Sequence, residues 1–292
     1  LRDAEVIVLI RERTQLTRAL IEKLPRLKMV SQTGRVGSHI DVAACTEHGV
    51  AVAEGIGSPV APAELTWALI MAAARRLPQY IGNLKHGAWQ QSGLKAASMP
   101  ANFGLGTVLR GHTLGIWGYG KVGQLVAGYG RAFGMQVMVW GSPESMAKAR
   151  ADGFYTAPSR AELFALSDVL SLHLRLSETT RGIVKLDDLG RMKPTALLVN
   201  TSRAELIEQD ALVSALNRGR PGMAAVDVFE SEPILQGHAL LRLENCICTP
   251  HIGYVEQDSY ELYFGAAFDN VLNYLRGTPT NIVNPGALQV RR

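Results

Sequence analysis

Gly118, Gly120 and Gly123 stand at the spacing Gly-x-Gly-x-x-Gly within Thr113-Leu-Gly-Ile-Trp-Gly-Tyr-Gly-Lys-Val-Gly123. Glycines at that spacing suit one chemistry, the cradling of a dinucleotide pyrophosphate. The first permits a tight turn, the second lets a phosphate approach bare backbone, and the third lets a helix pack close to a strand. Tyr119, Lys121 and Val122 complete the turn. A helix starting here would aim unpaired N–H groups and partial positive charge at the phosphates. Three later patches gather polar residues, each after an apolar run: Asn200-Thr-Ser-Arg203, Asp227-Val-Phe-Glu-Ser-Glu-Pro233 and Thr249-Pro-His-Ile-Gly253.

The elements around these residues are legible from periodicity. Leu114 to Trp117 is short and apolar enough for a buried parallel strand. Gln124 to Phe133 reads as a helix and Gln136 to Trp140 as the next strand. The series continues with helix 144–151, a short strand near Phe154-Tyr155, helix 159–166 and strand Asp168 to His173. Helix 185–192, strand Ala196 to Asn200, helix 208–218, strand Gly222 to Val228 and strand Cys246 to Thr249 complete it. In a doubly wound sheet the polar strand ends converge on the crevice that takes the cofactor.

An earlier βα series precedes this one. Val6 to Ile10, Lys28 to Ser31 and Val50 to Ala53 read as strands; Thr17 to Lys23 and Val42 to Glu47 read as helices, a rhythm that implies a parallel sheet. The turn Gln32-Thr-Gly-Arg-Val-Gly37 lies at a strand's carboxyl end. Its N–H groups suit a carboxylate, or it is an ordinary strand-to-helix turn. Gly55 to Pro62 is a hinge, and from Pro62 an almost wholly apolar helix runs to Ala74, to be buried between layers or domains. Residues 90 to 112 are an extended connection suited to packing against another subunit. A long helix, Gln257 to Arg276, and Asn281 to Asn284 return the chain to the first sheet. The expected fold class is α/β with two doubly wound domains. A Rossmann dinucleotide-binding domain, residues 59–254, is inserted in a flavodoxin-like substrate domain, residues 1–58 and 255–292.

Composition narrows the class. The chain has 292 residues, 47% hydrophobic and 19% charged, with a formal net charge of +4. Its basic residues are dispersed, so no nucleic-acid surface is indicated. The apolar run Leu65 to Ala74 is too short to span a membrane. Cys45, Cys246 and Cys248 fit no metal site, and Cys246-x-Cys248 reads as packing on one strand face, which suits a reducing cytoplasm. The chain begins at Leu1 and almost at once enters a strand, so some native N-terminal sequence is expected to be missing.

The glycine motif and the three late patches, in their order and spacing, resemble the D-isomer-specific 2-hydroxyacid dehydrogenases over nearly the whole chain. The resemblance implies hydride transfer between a nicotinamide cofactor and a small D-2-hydroxy or 2-oxo acid. By matching positions, Arg203 is the family's substrate arginine, Glu232 the acidic partner and His251 the general acid/base. The chemistry suits those residue types. Reducing a 2-oxo acid needs a proton donor that titrates near neutrality, and histidine is the natural choice. A buried carboxylate beside it would orient the ring and favour its charged form. A planar guanidinium binds a carboxylate and polarises a carbonyl.

The same matching places Asp227 near the nicotinamide ring, Thr201 and Ser202 as backbone contacts, His173 on the adenine-ribose side, and Gly253 among the cofactor contacts. The backbone of Arg35, Val36 and Gly37 would receive the substrate carboxylate. His39, His48, His86, His112 and His238 lack this context and read as structural or solvated. There is one departure. Members that use NAD carry Asp or Glu after the second strand of the nucleotide domain, where Val139-Trp-Gly-Ser142 puts Gly141. Nothing there repels a 2′-phosphate and Ser142 could bond one, yet no arginine follows. NAD remains the family default, with NADP or dual use open. Formate dehydrogenase shares the layout but pairs its histidine with glutamine, so Glu232 argues against it. A cofactor-responsive binding protein, like the family's corepressors, is the alternative function. The family also implies a homodimer built through the nucleotide domain.

Overall fold

The protein is described here from a computed structural model covering residues 1–10, 14–92 and 104–290. The chain divides into two compact units, one of Leu1–Ser58 with Val255–Arg292 and one of Pro59–Tyr254. Residues 93–103 of the expected 90–112 connection lie outside the described residues.

In the first unit, strands β1 (Val6–Leu9), β2 (Met29–Gln32) and β3 (Ala51–Ala53) form a parallel sheet in the order β1-β2-β3. Helices α1 (Arg18–Ile21) and α2 (Val42–Glu47) cover one face through Ile21, Ala44 and Cys45. The last helix, α10 (Gln257–Leu275), brings Val271 and Tyr274 to Met29 and Ala51. After α10, Ile282 bridges Ala53 in antiparallel fashion. Asn284 then fixes the return: its Oδ1 accepts from Val52 N at 2.7 Å and its Nδ2 donates to Val50 O at 3.0 Å. A buried asparagine amide thus satisfies backbone groups that water cannot reach.

The second unit holds seven parallel strands: β4 (Thr113–Trp117), β5 (Gln136–Trp140), β6 (Tyr155–Thr156), β7 (Val169–Leu172), β8 (Leu197–Asn200), β9 (Met223–Val226) and β10 (Cys246–Cys248). Their order is β10-β9-β8-β7-β4-β5-β6. The chain moves from β4 to one side through β5 and β6, then crosses back to β7 on the other side of β4. That reversal opens a crevice at the carboxyl ends of β4 and β7. Alternate side chains face two cores. Leu114, Ile116, Val137 and Val199 pack with α3 (Val60–Ala74) and α5 (Lys121–Ala132). Trp117, Leu170, Leu198 and Val226 pack with α7 (Arg160–Leu166), α8 (Leu186–Gly190) and α9 (Ala211–Asn217). Each fully buried Leu or Phe contributes about 1.5–3 kcal/mol.

Several boundaries differ from expectation for local reasons. The long helix stops at Ala74, Arg76 takes a left-handed φ of 51°, and a separate helix α4 (Leu77–Lys85) begins with Pro78 in its first turn. Sequence reading had no element there. The helix expected over 208–218 starts at Ala211, because Asp210 sits at φ 59°. The strand expected to reach Val228 ends at Val226, and the next side chain, Asp227, holds a loop. Among the described residues no helix is long and apolar enough to cross a membrane.

Candidate active site

The glycine turn lies at the carboxyl end of β4, beside the strand-order reversal. Gly118 has φ 100°, and a Cβ there would sit 2.6 Å from the His173 carbonyl oxygen. A Cβ on Gly123 would lie 2.1 Å from the Gly118 carbonyl oxygen, so only glycine lets α5 start this close to the turn. A Cβ on Gly120 would meet nothing within 4 Å. The turn is therefore closed on its protein side and open on the other, a cradle that fits a pyrophosphate at the N-terminus of a 12-residue helix. Lys121 and Val122 are the first two residues of that helix. Tyr119 turns its side chain into the core: its hydroxyl donates to Asp152 Oδ2 at 2.9 Å and its ring packs edge-on against Phe154. Burial pushes that phenol well above its ordinary pKa. Only the backbone of Tyr119 is left for a cofactor.

After β5 comes Gly141, and Ser142 caps helix α6 (Pro143–Ala151) by accepting from Ser145 N at 3.2 Å. The Ser142 hydroxyl also donates to Ser145 Oγ at 3.2 Å. The serine expected to bond a ribose or phosphate thus already makes two local bonds. After β7, His173 Nε2 bonds Ser171 Oγ at 2.9 Å, and desolvation pushes the imidazole down to about 4.

The loop after β8 is braced by its own strand end. Asn200 is 1% exposed; its Oδ1 accepts from Ser202 N at 3.1 Å and its Nδ2 donates to Arg203 O at 2.9 Å. Ser202 Oγ donates to Leu172 O at 2.7 Å, and the Thr201 hydroxyl pairs with Thr66 of α3 at 2.7 Å. Arg203 leaves this frame in extended conformation and its Nη1 donates to Ser202 O at 2.8 Å.

The loop after β10 hangs on Asp227, which is 1% exposed. Its Oδ1 accepts from Thr249 Oγ1 at 2.7 Å and Ile252 N at 2.8 Å, and its Oδ2 accepts from Gly253 N at 2.9 Å. Burial still outweighs these bonds and raises the carboxyl's pKa. Between the anchored residues, His251 adopts φ 53° and its Nδ1 lies 2.6 Å from Glu232 Oε2. Glu232 Oε1 accepts from Phe229 N at 3.0 Å, so both carboxylate oxygens are directed. The pair is more open than sequence reading supposed: the side chains are 24% and 34% exposed.

Arg203, Glu232 and His251 follow β8, β9 and β10, three adjacent strands. Arg35, Val36 and Gly37 follow β2 in the first unit. Among the described residues none accepts a hydrogen bond from their backbone N–H groups.

The pattern described as D-isomer specific 2-hydroxyacid dehydrogenase, NAD binding domain, matches residues 67–253. The chain belongs to this family. It is a family of oxidoreductases that move hydride between a nicotinamide and a D-2-hydroxy or 2-oxo acid. A D-3-phosphoglycerate dehydrogenase of Methanocaldococcus jannaschii is 35% identical over 97% of this chain and 52% of its own length. A glyoxylate reductase of Aeropyrum pernix is 36% identical over 94% of this chain and 81% of its own. The chain thus spans about half the length of that phosphoglycerate dehydrogenase. An oxidoreductase of known structure from Ralstonia solanacearum is 67% identical, with a TM-score of 0.96 over 98% of this chain and 85% of that one. Nothing in this family match or in these relatives supports the corepressor-like alternative.

Sequence reading missed three supports: the Asn200 brace, the Thr66–Thr201 pair and the use of Asp227 as an anchor. A signal existed for Asn200 and Asp227, a polar residue capping an apolar strand directly before a functional patch. None existed for Thr66, because its partner lies 135 residues away.

Proposed function

We propose that the chain reduces 2-oxo acids to D-2-hydroxy acids, and runs the reverse reaction, with His251 as general acid/base. One observation carries this reading: an imidazole held at 2.6 Å by a carboxylate, on a loop anchored by a second, buried carboxylate. The nicotinamide, when bound, supplies or accepts the hydride. Glu232 fixes the ring through Nδ1 and stabilises positive charge on it, so proton exchange with the substrate oxygen falls to Nε2. Arg203 binds the substrate carboxylate and polarises the carbonyl through its fork of donors. The N–H groups of Arg35, Val36 and Gly37 are assigned to the same carboxylate. Gly118, Tyr119, Gly120, Lys121, Val122 and Gly123 hold the pyrophosphate by backbone, with Thr201, Ser202 and His173 lining the remainder.

NAD is the assigned cofactor, supported by the family pattern over the nucleotide domain. With Gly141 at the ribose position no carboxylate repels a 2′-phosphate, so NADPH is expected to work as well. The relatives' substrates differ at nearly equal identity, and the substrate is assigned only as a small 2-oxo acid. The test is oxidation of NADH and NADPH against glyoxylate, hydroxypyruvate, pyruvate and phosphohydroxypyruvate. Turnover by the protein and its loss in His251→Ala is the expected result. Silence across the panel, or formate-dependent NADH production, would overturn the reading.

A homodimer through the second unit is also proposed. Helix α4 exposes Leu77, Ile81 and Leu84 at 45%, 54% and 56% on one face, more apolar surface than a solvated helix ordinarily shows. A monomeric mass in light scattering would sink it.

A further inference from the structure

Cys246 and Cys248 are the two ends of β10, an edge strand paired only with β9. Residues two apart on a strand point to one face, and here the two Sγ atoms lie 3.7 Å apart. Both residues are partly buried, whereas Cys45 is fully buried in the other unit. We propose that this pair is an oxidisable dithiol that hydroperoxides convert to an intrachain disulfide, displacing the His251 loop.

The pair is asymmetric in a useful way. The Cys246 S–H bond to the neighbouring sulfur draws Cys248 below the ordinary thiol pKa, while the same bond and burial push Cys246 up. Either sulfur can donate to the other at this distance, and with Cys246 as donor Cys248 is the nucleophile. Its thiolate attacks one oxygen of the hydroperoxide; an S–O bond forms, the O–O bond breaks and an alcohol or water leaves. The Cys246 sulfur then attacks the sulfenic sulfur; the S–S bond forms and the S–O bond breaks, releasing water. Two thiols lose two electrons and the peroxide gains them.

Geometry decides the consequence. The Cα atoms of residues two apart in a strand are separated by about 6.6 Å, near the upper end of the range a disulfide tolerates, and the sulfurs must close to about 2.05 Å. β10 must therefore pucker. It is three residues long and has one neighbour, so only one short ladder resists the change. The next residue, Thr249, donates its N–H to Val226 O at 3.0 Å and its hydroxyl to Asp227. Puckering β10 pulls on that anchor, two residues before His251. A bond made under strain is also readily reduced, so the change is reversible.

The effect on catalysis rests on the dehydrogenase reading above; disulfide formation does not. The full-length protein is treated with hydrogen peroxide and compared with Cys45→Ser, Cys246→Ser and Cys248→Ser. Expected are a mass loss of about 2 Da, mapped to a peptide containing both Cys246 and Cys248, its absence in the last two variants and its persistence in Cys45→Ser. Oxidised protein should show kcat lowered about tenfold to a hundredfold, a shifted pH profile, and recovery of both with dithiothreitol. A pH-profile shift separates displacement of His251 from loss of folded protein. No 2 Da loss, or oxidation confined to one sulfur, overturns the proposal. A mapped disulfide with unchanged kinetics overturns the coupling to His251. A mapped disulfide in a protein without turnover before oxidation sinks the dehydrogenase reading and leaves the dithiol standing.

Discussion

Two histidines follow strands of the same sheet, both half-buried, and their polar partners differ. His173, after β7, is desolvated, bonds the hydroxyl of Ser171 and has its pKa pushed down to about 4. It stays neutral near pH 7. His251, after β10, is about a quarter exposed and has a carboxylate at 2.6 Å on Nδ1. The first is held by a serine hydroxyl, the second by a carboxylate on an anchored loop. A histidine at a strand end is thus not by itself a candidate proton carrier; the carboxylate beside His251 makes the difference.

His251→Ala breaks the comparison at its most sensitive point. We expect kcat to fall by about 10²–10⁴-fold while NADH binding, followed by fluorescence titration, is kept. An equal loss in His173→Ala would show that the contrast is misread. Gly123→Ala comes next. Its Cβ would meet a backbone oxygen at 2.1 Å, which no rotamer relieves. We expect a loss of about 3 kcal/mol in urea unfolding, with weakened nucleotide binding. Asp227→Asn tests the anchor. The amide keeps one acceptor but presents an NH₂ where Gly253 N–H or Ile252 N–H must be received. Leaving one buried donor unpaired costs about 1–3 kcal/mol, and a fall in kcat without change in nucleotide affinity would locate the damage in the His251 loop.

The parts most legible in the sequence were those fixed by sterics and period. Gly118, Gly120 and Gly123 announce a turn that only absent side chains permit, and the strands of both sheets follow apolar runs bounded by polar residues. The catalytic assignments came from the family resemblance that three patches carry. What was hidden has long-range causes. Thr66 and Thr201 meet because α3 packs on β8, which no local window contains. The anchoring by Asp227 was hidden because a carboxylate in a patch cannot reveal that three donors will converge on it. The openness of Glu232 was hidden for the same reason, since burial is a property of the assembled loop. Helix α4 was missed because Pro78 reads as a break, although a proline in a first turn starts a helix as readily as it ends one.

Gly141→Asp sharpens the comparison on the cofactor side. A Cβ there would lie 3.3 Å from Ser145 Cβ, a contact that a small shift relieves. The new carboxylate can bond the ribose hydroxyls and repel a 2′-phosphate. We expect the ratio of kcat/KM for NADH over NADPH to rise about tenfold, a change of about 1.4 kcal/mol. An unchanged ratio would mean that this strand end does not face the adenosine ribose.

A pH series separates desolvation from catalysis at His173. Its folded pKa of about 4 lies below the unfolded value of 6.5. Above pH 6.5 both states hold a neutral ring, so the full stability is present. As pH falls, the unfolded chain takes up the proton first, and stability is lost progressively until the folded ring also protonates near pH 4. A glutamine in its place can still bond Ser171 and carries no titrating group. The melting temperature of His173→Gln should therefore fall less steeply than that of the wild type between pH 6.5 and 4, and run parallel to it from pH 7 to 8. Parallel curves over the whole range would mean that the ring is hydrated and protonates in the folded state, which would remove the distinction between the two histidines.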